Sequence, residues 1–289
     1  MNWLDFEHYP KIPLEKWIET GVTWLVDHFR PEFQAVKWPI EQTLNGVDVV
    51  LQTLPPMAVI AVVFAVAWRM AGWRVGVFSA ATLVFIGFLG LWEETMTTLA
   101  MVLSAVFFCV VVGIPLGIIA SRSDRFETIL RPILDAMQTT PAFVYLVPVV
   151  MLFSIGTVAG VIATIVFAMP PIIRLTNLGI RQVQPDVVEA ARAFGSTSMQ
   201  ILWRVQFPLA LPTIMAGLNQ TIMLSLSMVV IAALIGAGGL GLPVFEGLNS
   251  LRVGLAGTGG LSIVLLAMVL DRITQALGRR QAFVQRAAE

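Results

Sequence analysis

Between two long apolar runs the chain carries one polar island, residues 184–212, reading QPDVVEAARAFGSTSMQILWRVQFPLALP. Its side chains suit docking rather than bond making. Pro185 fits the first turn of a helix, where its missing N–H costs nothing. Asp186 and Glu189 lie early in that helix, where carboxylates favour the positive end of the dipole. Arg192 follows Glu189 at a supportive helical spacing. Val187, Ala191 and Phe194 share one face, and Gly195 stops the helix in the left-handed conformation. Thr197 with Gln200 forms a capping-box pattern, so a second short helix starts at once. Pro208 and Pro212 are expected to break it before the next apolar run. The pattern predicts a helix–turn–helix with a small, flat face at Ala190 and Ala191, suited to a groove on another protein. A hairpin that only joins two membrane helices would carry the same signals, and the residues alone leave both readings open.

Other chemistry is excluded by what is missing. No lysine occurs after Lys37. A Walker A loop needs a lysine after its glycines to reach nucleotide phosphates, and the segment before Lys37 lacks those glycines. There is no HExxH, no nucleophile elbow and no carboxylate pair placed for acid–base work. His8 and His28 stand without a ligand cluster, so no metal site is expected. Cys109 lies inside an apolar run, where it packs and cannot form an internal disulfide. The formal charge is zero, which argues against binding nucleic acid through its phosphates.

The elements that must position the island are membrane spans. The chain is 57% hydrophobic and 12% charged over 289 residues, beyond the apolar share of ordinary globular domains. Seven apolar runs, at about 53–70, 74–91, 96–120, 132–155, 158–173, 213–236 and 255–273, are each near the roughly 20 residues that cross a hydrocarbon core. This predicts an all-α polytopic membrane protein, a helical bundle of about seven transmembrane helices. Arg69 and Arg74, Arg122, Arg125 and Arg131, Arg174 and Arg181 just before the island with its Arg192 and Arg204, and Arg272, Arg279, Arg280 and Arg286 then fall on one side. The positive-inside rule places that side in the cytoplasm, with the C-terminus there and the acidic N-terminus outside. Trp68, Trp73 and Trp92 sit at span ends, as an interfacial belt would have them.

Residues 1–52 are charged and lack the cationic start and apolar core of a signal peptide. Leu14, Trp17, Ile18, Val22, Leu25 and Val26 recur at helical spacing. An amphipathic helix on the membrane surface or on the protein body fits this pattern, as does a loosely ordered tail. Gly113 and Gly117 form a GxxxG pattern for close helix packing, beside Pro115. Pro141, Pro148, Pro170 and Pro171 interrupt the fourth and fifth runs, where neighbouring groups or a wet cavity must satisfy the freed carbonyls. Gly236, Gly238, Gly239 and Gly241 close the sixth run in what reads as a flexible loop.

The spans hold few ionisable groups, chiefly Asp135 and Asp271, which argues against coupling to an ion gradient. Polar residues cluster at Gln138, Thr139 and Thr140 before Pro141, and at Asn219, Ser225 and Ser227 beside Met228 in the sixth run. They are candidates for a pathway or gate, with interhelical hydrogen bonding the commoner use of such residues. Phe143 and Tyr145 could meet a quaternary ammonium by cation–π attraction.

Glu189-Ala190-Ala191, then Gly195, then Val205-Gln206-Phe207-Pro208, resembles the EAA motif of ABC importer permeases. Val205 and Phe207 stand where the motif usually has Ile and Leu, an apolar exchange. The resemblance extends over about 95–277 and includes LDAMQTTPAFVYLVPVVMLFSIG from Leu134, MPPIIRLTNLGI from Met169 and PTIMAGLNQTIMLSLSMVVIAALIGAGGLG from Pro212. These longer runs are similar to the membrane subunit of glycine betaine/proline betaine importers. The resemblance implies a type-1 ABC importer permease fold. It divides the chain into an extracytoplasmic amphipathic segment (1–52), accessory transmembrane helices (53–94), the ABC transmembrane domain (95–277, with the coupling loop at 184–212) and a cytoplasmic tail (278–289). It implies a second copy, two cytoplasmic ATPases that use ATP and Mg, and a separate extracytoplasmic binding protein, all in a bacterial inner membrane. Glu189, Ala190, Ala191, Arg192 and Gly195 match the part that docks on the ATPase. The chain itself would bind no cofactor and catalyse nothing. The expected activity is uptake of glycine betaine or proline betaine for osmoprotection by alternating access. Choline, carnitine or trimethylamine N-oxide are alternatives within transport. A stand-alone carrier or channel, or a scaffold without flux, are alternatives outside it.

Overall fold

The computed structural model describes residues 13–286, and every regular element among them is helical. In chain order these are α1 (Leu14–Thr53), α2 (Pro56–Ala71), α3 (Trp73–Phe88), α4 (Trp92–Arg122), α5 (Asp124–Thr139), α6 (Leu146–Phe153), α7 (Thr157–Arg181), α8 (Pro185–Ala193), α9 (Ser198–Ile201), α10 (Phe207–Ile231), α11 (Gly241–Asn249) and α12 (Val253–Arg286). The call on residues 1–12, His8 included, lies outside the described residues, as do 287–289.

Among the described residues, four stretches are long and apolar enough to cross a bilayer: Trp92–Arg122, Thr157–Arg181, Ser198–Ile235 and Val253–Ala276. Counting two bent pairs as spans raises this to six. The seven apolar runs map onto α2, α3, α4, the broken α5–α6 unit, α7, α10 and α12. α2 and α3 have 16 residues each, about 24 Å at 1.5 Å per residue, less than the roughly 30 Å of a hydrocarbon core. They pair through the turn at Gly72 and pack on α12.

The centre of the bundle is α7, held between α4 and α10. Lipid tails are as apolar as leucine, so such helices associate by close contact rather than by escape from water. The GxxxG pair supplies that contact. A Cβ on Gly113 would come within 2.5 Å of the Ile172 side chain. One on Gly117 would meet the Thr176 Cβ at 2.5 Å and the Ile173 carbonyl at 2.8 Å. Pro170 and Pro171 are buried inside α7 without ending it. Here the expected packing role of the glycines is what the geometry delivers.

Three expectations need correction. Pro208 and Pro212 do not break the chain after α9: both lie inside α10. Residues Leu202–Gln206 loosen into a π turn, in which Phe207 N–H reaches the Leu202 carbonyl. That wider turn lets Pro208 enter α10 at its start, where the missing N–H is harmless. The glycine run after α10 is docked, not free, because Leu240 N–H donates to the Thr98 hydroxyl at 2.7 Å and Leu240 and Gly241 are buried. The fifth run is not interrupted, since α7 continues through Pro170 and Pro171; the fourth is broken as expected, with α5 and the segment Ala142–Phe153 bent by 107°.

α1 is a longer helix than the periodicity suggested, and Phe29 breaks its regularity (φ −117°, ψ 20°). Pro31 explains the kink, since it removes an N–H and crowds the preceding turn. From Phe33 onward one face of α1 packs on α4, α6 and α7.

Candidate functional site

The island folds as the sequence predicts up to α9. Pro185 opens α8, with Asp186 in its first turn and Arg192 in its last. Gly195 has φ +79°, a left-handed conformation that a side chain resists. With that turn, Gly195 N–H reaches the Arg192 carbonyl at 2.9 Å and Ser196 N–H reaches the Ala191 carbonyl at 3.1 Å. This pair of bonds is a Schellman cap. Thr197 then caps α9: its N–H donates to Gln200 Oε1 at 2.8 Å, and Gln200 N–H donates to its hydroxyl at 3.4 Å. The hairpin is therefore closed by backbone and caps alone and needs no core of its own.

That leaves its outer surface free. No residue of α8 is buried, and Glu189, Ala190 and Arg192 are exposed, while Ala191 is half-buried. Glu189 and Arg192 form no ion pair with each other. Phe194 is 91% exposed at the tip, a large apolar group offered to whatever covers it.

One bond ties the hairpin to the end of α4, beside an ionic seam between α5 and α7. Arg122 at the end of α4 donates to the Ser198 carbonyl at 2.9 Å. Arg181 at the end of α7 donates to the Ala120 carbonyl at 2.8 Å and pairs with Asp124 at 2.7 Å and Glu127 at 3.1 Å. Glu127 also takes Arg131 at 2.6 Å, and Arg174 pairs with Asp135 higher in the seam. Between α5 and α7, Glu127, Arg131, Asp135, Arg174 and Arg181 line a groove of about 400 Å³. The sequence reading misses these pairs; the i, i+4 spacing of Glu127 and Arg131 is the one local signal that could find any of them. The α5–α7 pairs join residues far apart in sequence and left no local signal.

The residues proposed for a pathway divide into two groups. Gln138, Thr139, Thr140, Phe143 and Tyr145 gather at the α5–α6 break. Thr139 and Thr140 hydroxyls donate to the carbonyls of Asp135 and Ala136 at 3.0 and 2.8 Å. Tyr145 reaches back across the break to donate to the Met137 carbonyl at 2.5 Å, and its ring meets Phe167 edge-on at 5.9 Å. Gln138 and Phe143 are exposed, Phe143 by 60%.

The α10 group is more internal. Asn219 donates to Asp271 at 3.2 Å and accepts from Thr274 at 2.5 Å, tying α10 to α12. Gln275 completes this cluster by donating to both Asp271 oxygens at 2.8 Å. Ser225 and Met228 are completely buried within the chain. Ser227 is exposed and donates to the Met223 carbonyl at 3.1 Å. Among the described residues no cluster of His, Cys, Asp and Glu is placed to hold a metal ion.

Comparison with known proteins bears on this geometry directly. Residues 113–283 match the family described as the binding-protein-dependent transport system inner membrane component. The chain is 55% identical over 278 residues to the glycine betaine/proline betaine transport system permease protein ProW of Escherichia coli K12, covering 96% of this chain and 78% of that one. It is 45% identical over 269 residues to the glycine betaine transport system permease protein OpuAB of Bacillus subtilis 168, covering 93% and 95%. An inward-facing structure of the MetNI methionine ABC transporter shares the fold, with a TM-score of 0.58 and 25% identity over 68% of this chain and 96% of that one. The exposed hairpin, its rooted base and these likenesses agree: the chain belongs to the inner membrane components of binding-protein-dependent transport systems, and it has the type-1 ABC importer permease fold.

Proposed function

We propose that this chain is the permease subunit of an ATP-driven importer that takes a compatible solute, glycine betaine or proline betaine, across the cytoplasmic membrane of a bacterium. It pairs with a second copy, two cytoplasmic ATPases and an extracytoplasmic binding protein. The ATPases bind ATP and Mg, and this chain has no catalytic site. The observation that carries the coupling role is the bare α8 surface on a hairpin whose base is tied to the end of α4 by the bond from Arg122 to the Ser198 carbonyl. A helix built this way transmits force: its outside is free to bind, and its inside moves only with the bundle.

The residues that face the ATPase are Glu189, Ala190, Ala191, Arg192 and Gly195, with 184–212 as the coupling loop. ATP binding draws the two hairpins together and tips the bundle outward. The binding protein then delivers solute, and hydrolysis resets the inward-facing state. The solute leaves by way of the α5–α6 break, where Gln138, Thr139 and Phe143 are exposed. The names of the two relatives support a betaine as cargo.

The test is uptake of labelled glycine betaine into proteoliposomes holding the full complex. Glu189→Lys should abolish uptake while ATP hydrolysis persists, with the permease still inserted. Normal uptake by that variant would refute the coupling role. Competition by unlabelled choline, carnitine or trimethylamine N-oxide that outmatches betaine would reassign the solute.

A further inference from the structure

The α2–α3 pair is held to the rest of the bundle mainly by α12. Both of its ends lie at one face. Gln52, just before α2, donates to the Glu93 carbonyl and the Thr97 hydroxyl, both at 3.1 Å, and α3 runs into α4 through the Gly90 turn. The turn at Gly72 (φ +94°) therefore points to the opposite face. Residues along the outside of the pair, such as Val62, Val66, Val77 and Phe85, are apolar and exposed.

The pair is too short to reach that opposite face of a bilayer. Its helices span about 24 Å, about 6 Å less than a hydrocarbon core is thick. α12 continues past this level to Arg286. The Gly72 turn is thus a ledge beside a longer helix, and a bilayer thins locally to meet a short apolar stretch. Trp68 and Trp73 are 56% and 62% exposed at the turn, the side chains that mark headgroup level.

At the ledge, Met70, Ala71 and Val75 together with Arg272, Gln275 and Ala276 of α12 line an open hollow of about 270 Å³. That is several times the roughly 30 Å³ share of one water. Arg272 stands in its wall, and Arg69 and Arg74 neighbour Met70 and Val75. All three arginines are exposed. Among the described residues none of their side chains has an ion-pair or hydrogen-bond partner; Arg74 only leans over the Trp73 ring at 5.9 Å. The nearest carboxylate in sequence, Asp271, is already engaged. Gln275 donates to both of its oxygens at 2.8 Å, and Asn219 of α10 donates to one at 3.2 Å.

Three unpaired cations about one hollow call for an anion. The level of the hollow selects its carrier, because a phospholipid brings phosphate to the rim of the hydrocarbon core while its acyl chains cover the bare outside of α2 and α3. Basic pockets between spanning helices suit anionic headgroups. We propose that this hollow binds the headgroup of an anionic phospholipid, which clamps the α2–α3 turn to α12.

The test uses the full chain, delipidated in mild detergent and titrated with phosphatidylglycerol or phosphatidylcholine, with bound lipid read by native mass spectrometry. Phosphatidylglycerol should fill a site that phosphatidylcholine does not. Arg74→Gln and Arg272→Gln should each weaken it about fivefold, the share of one arginine at an anionic surface. Arg125→Gln removes an exposed charge away from the hollow and should leave it unchanged. Arg272→Lys keeps the charge and should keep the site. In nanodiscs, p-benzoylphenylalanine in place of Ala71 should cross-link to phosphatidylglycerol. Wild-type binding by both glutamine variants, or equal retention of phosphatidylcholine, would refute the site. Equal losses in Arg272→Lys and Arg272→Gln would make Arg272 a support of the fold instead. Competition by glycerol 3-phosphate, which has no acyl chains, at concentrations matching the lipid would reassign the hollow to a soluble anion.

Discussion

Two glycines in this chain have different duties, and a substitution at each should show it. Gly117 sits where α4 touches α7, and an added Cβ would press on the Ile173 backbone and the Thr176 Cβ. Neither is a flexible side-chain end, so one helix must move. Gly117→Leu should lower the yield and the melting temperature of the detergent-solubilised protein, as overpacking by one side chain costs about 1–3 kcal/mol. Gly195 has open space around it but a left-handed backbone. Gly195→Ala should strain only the hairpin, by about 1 kcal/mol. Its melting temperature should stay near wild type, while the stimulation of ATPase activity by solute-loaded binding protein falls. Equal melting losses in both variants would contradict this division. Glu189 differs again: its side chain is exposed and forms no ion pair among the described residues, so its loss should leave the fold intact.

At the scale of elements, the α5–α6 break is the feature that the helices themselves would not choose. Thr140 and Pro141 interrupt the backbone ladder, and Tyr145 spans the gap through its bond to Met137. Tyr145→Phe removes that bond and keeps the ring against Phe167. The expected cost is about 1 kcal/mol, confined to the break. Amide hydrogen exchange at 137–145 should quicken, with exchange in α4, α7 and α10 unchanged. An unchanged rate at the break would show that packing alone holds it. The break illustrates what sequence can and cannot disclose. Proline positions announced an interruption, and local rules placed the ends of α8, its Gly195 cap and the Thr197–Gln200 box. These are read from neighbours within five residues. The seam of Arg181 with Asp124 and Glu127, the Asn219–Asp271–Thr274 cluster and the docking of Leu240 on Thr98 join distant segments, so no local period reports them. The prolines after α9 misled for a related reason: a π turn absorbs a missing N–H, and propensity alone does not foresee that adjustment.

For the whole molecule, charge and fold address the same question, which end of the bundle faces which compartment. The structure collects Arg122, Arg181 and the hairpin with Arg192 at one end. At the other end it collects Glu93, the Gly156 turn and Ile235, whose carbonyl accepts from Gly156 N–H at 3.1 Å. Helix association inside lipid is indifferent to which way up the bundle sits; loop charge decides it. The basic end should therefore lie in the cytoplasm, on the side of the proposed ATPases. Cys109 is fully buried and should resist polar thiol reagents, so single cysteines can report sidedness in the native background. Ser196→Cys lies in the hairpin turn, and Ile155→Cys lies at the opposite end with 71% exposure. A membrane-impermeant maleimide should label the first only in inside-out vesicles and the second only in spheroplasts or right-side-out vesicles. The reverse pattern would put the hairpin beyond reach of any cytoplasmic ATPase and overturn the coupling mechanism, whatever the solute. Labelling of both from one side would mean that the bundle does not cross the membrane between α6 and the hairpin, which would undo the span assignment of α7.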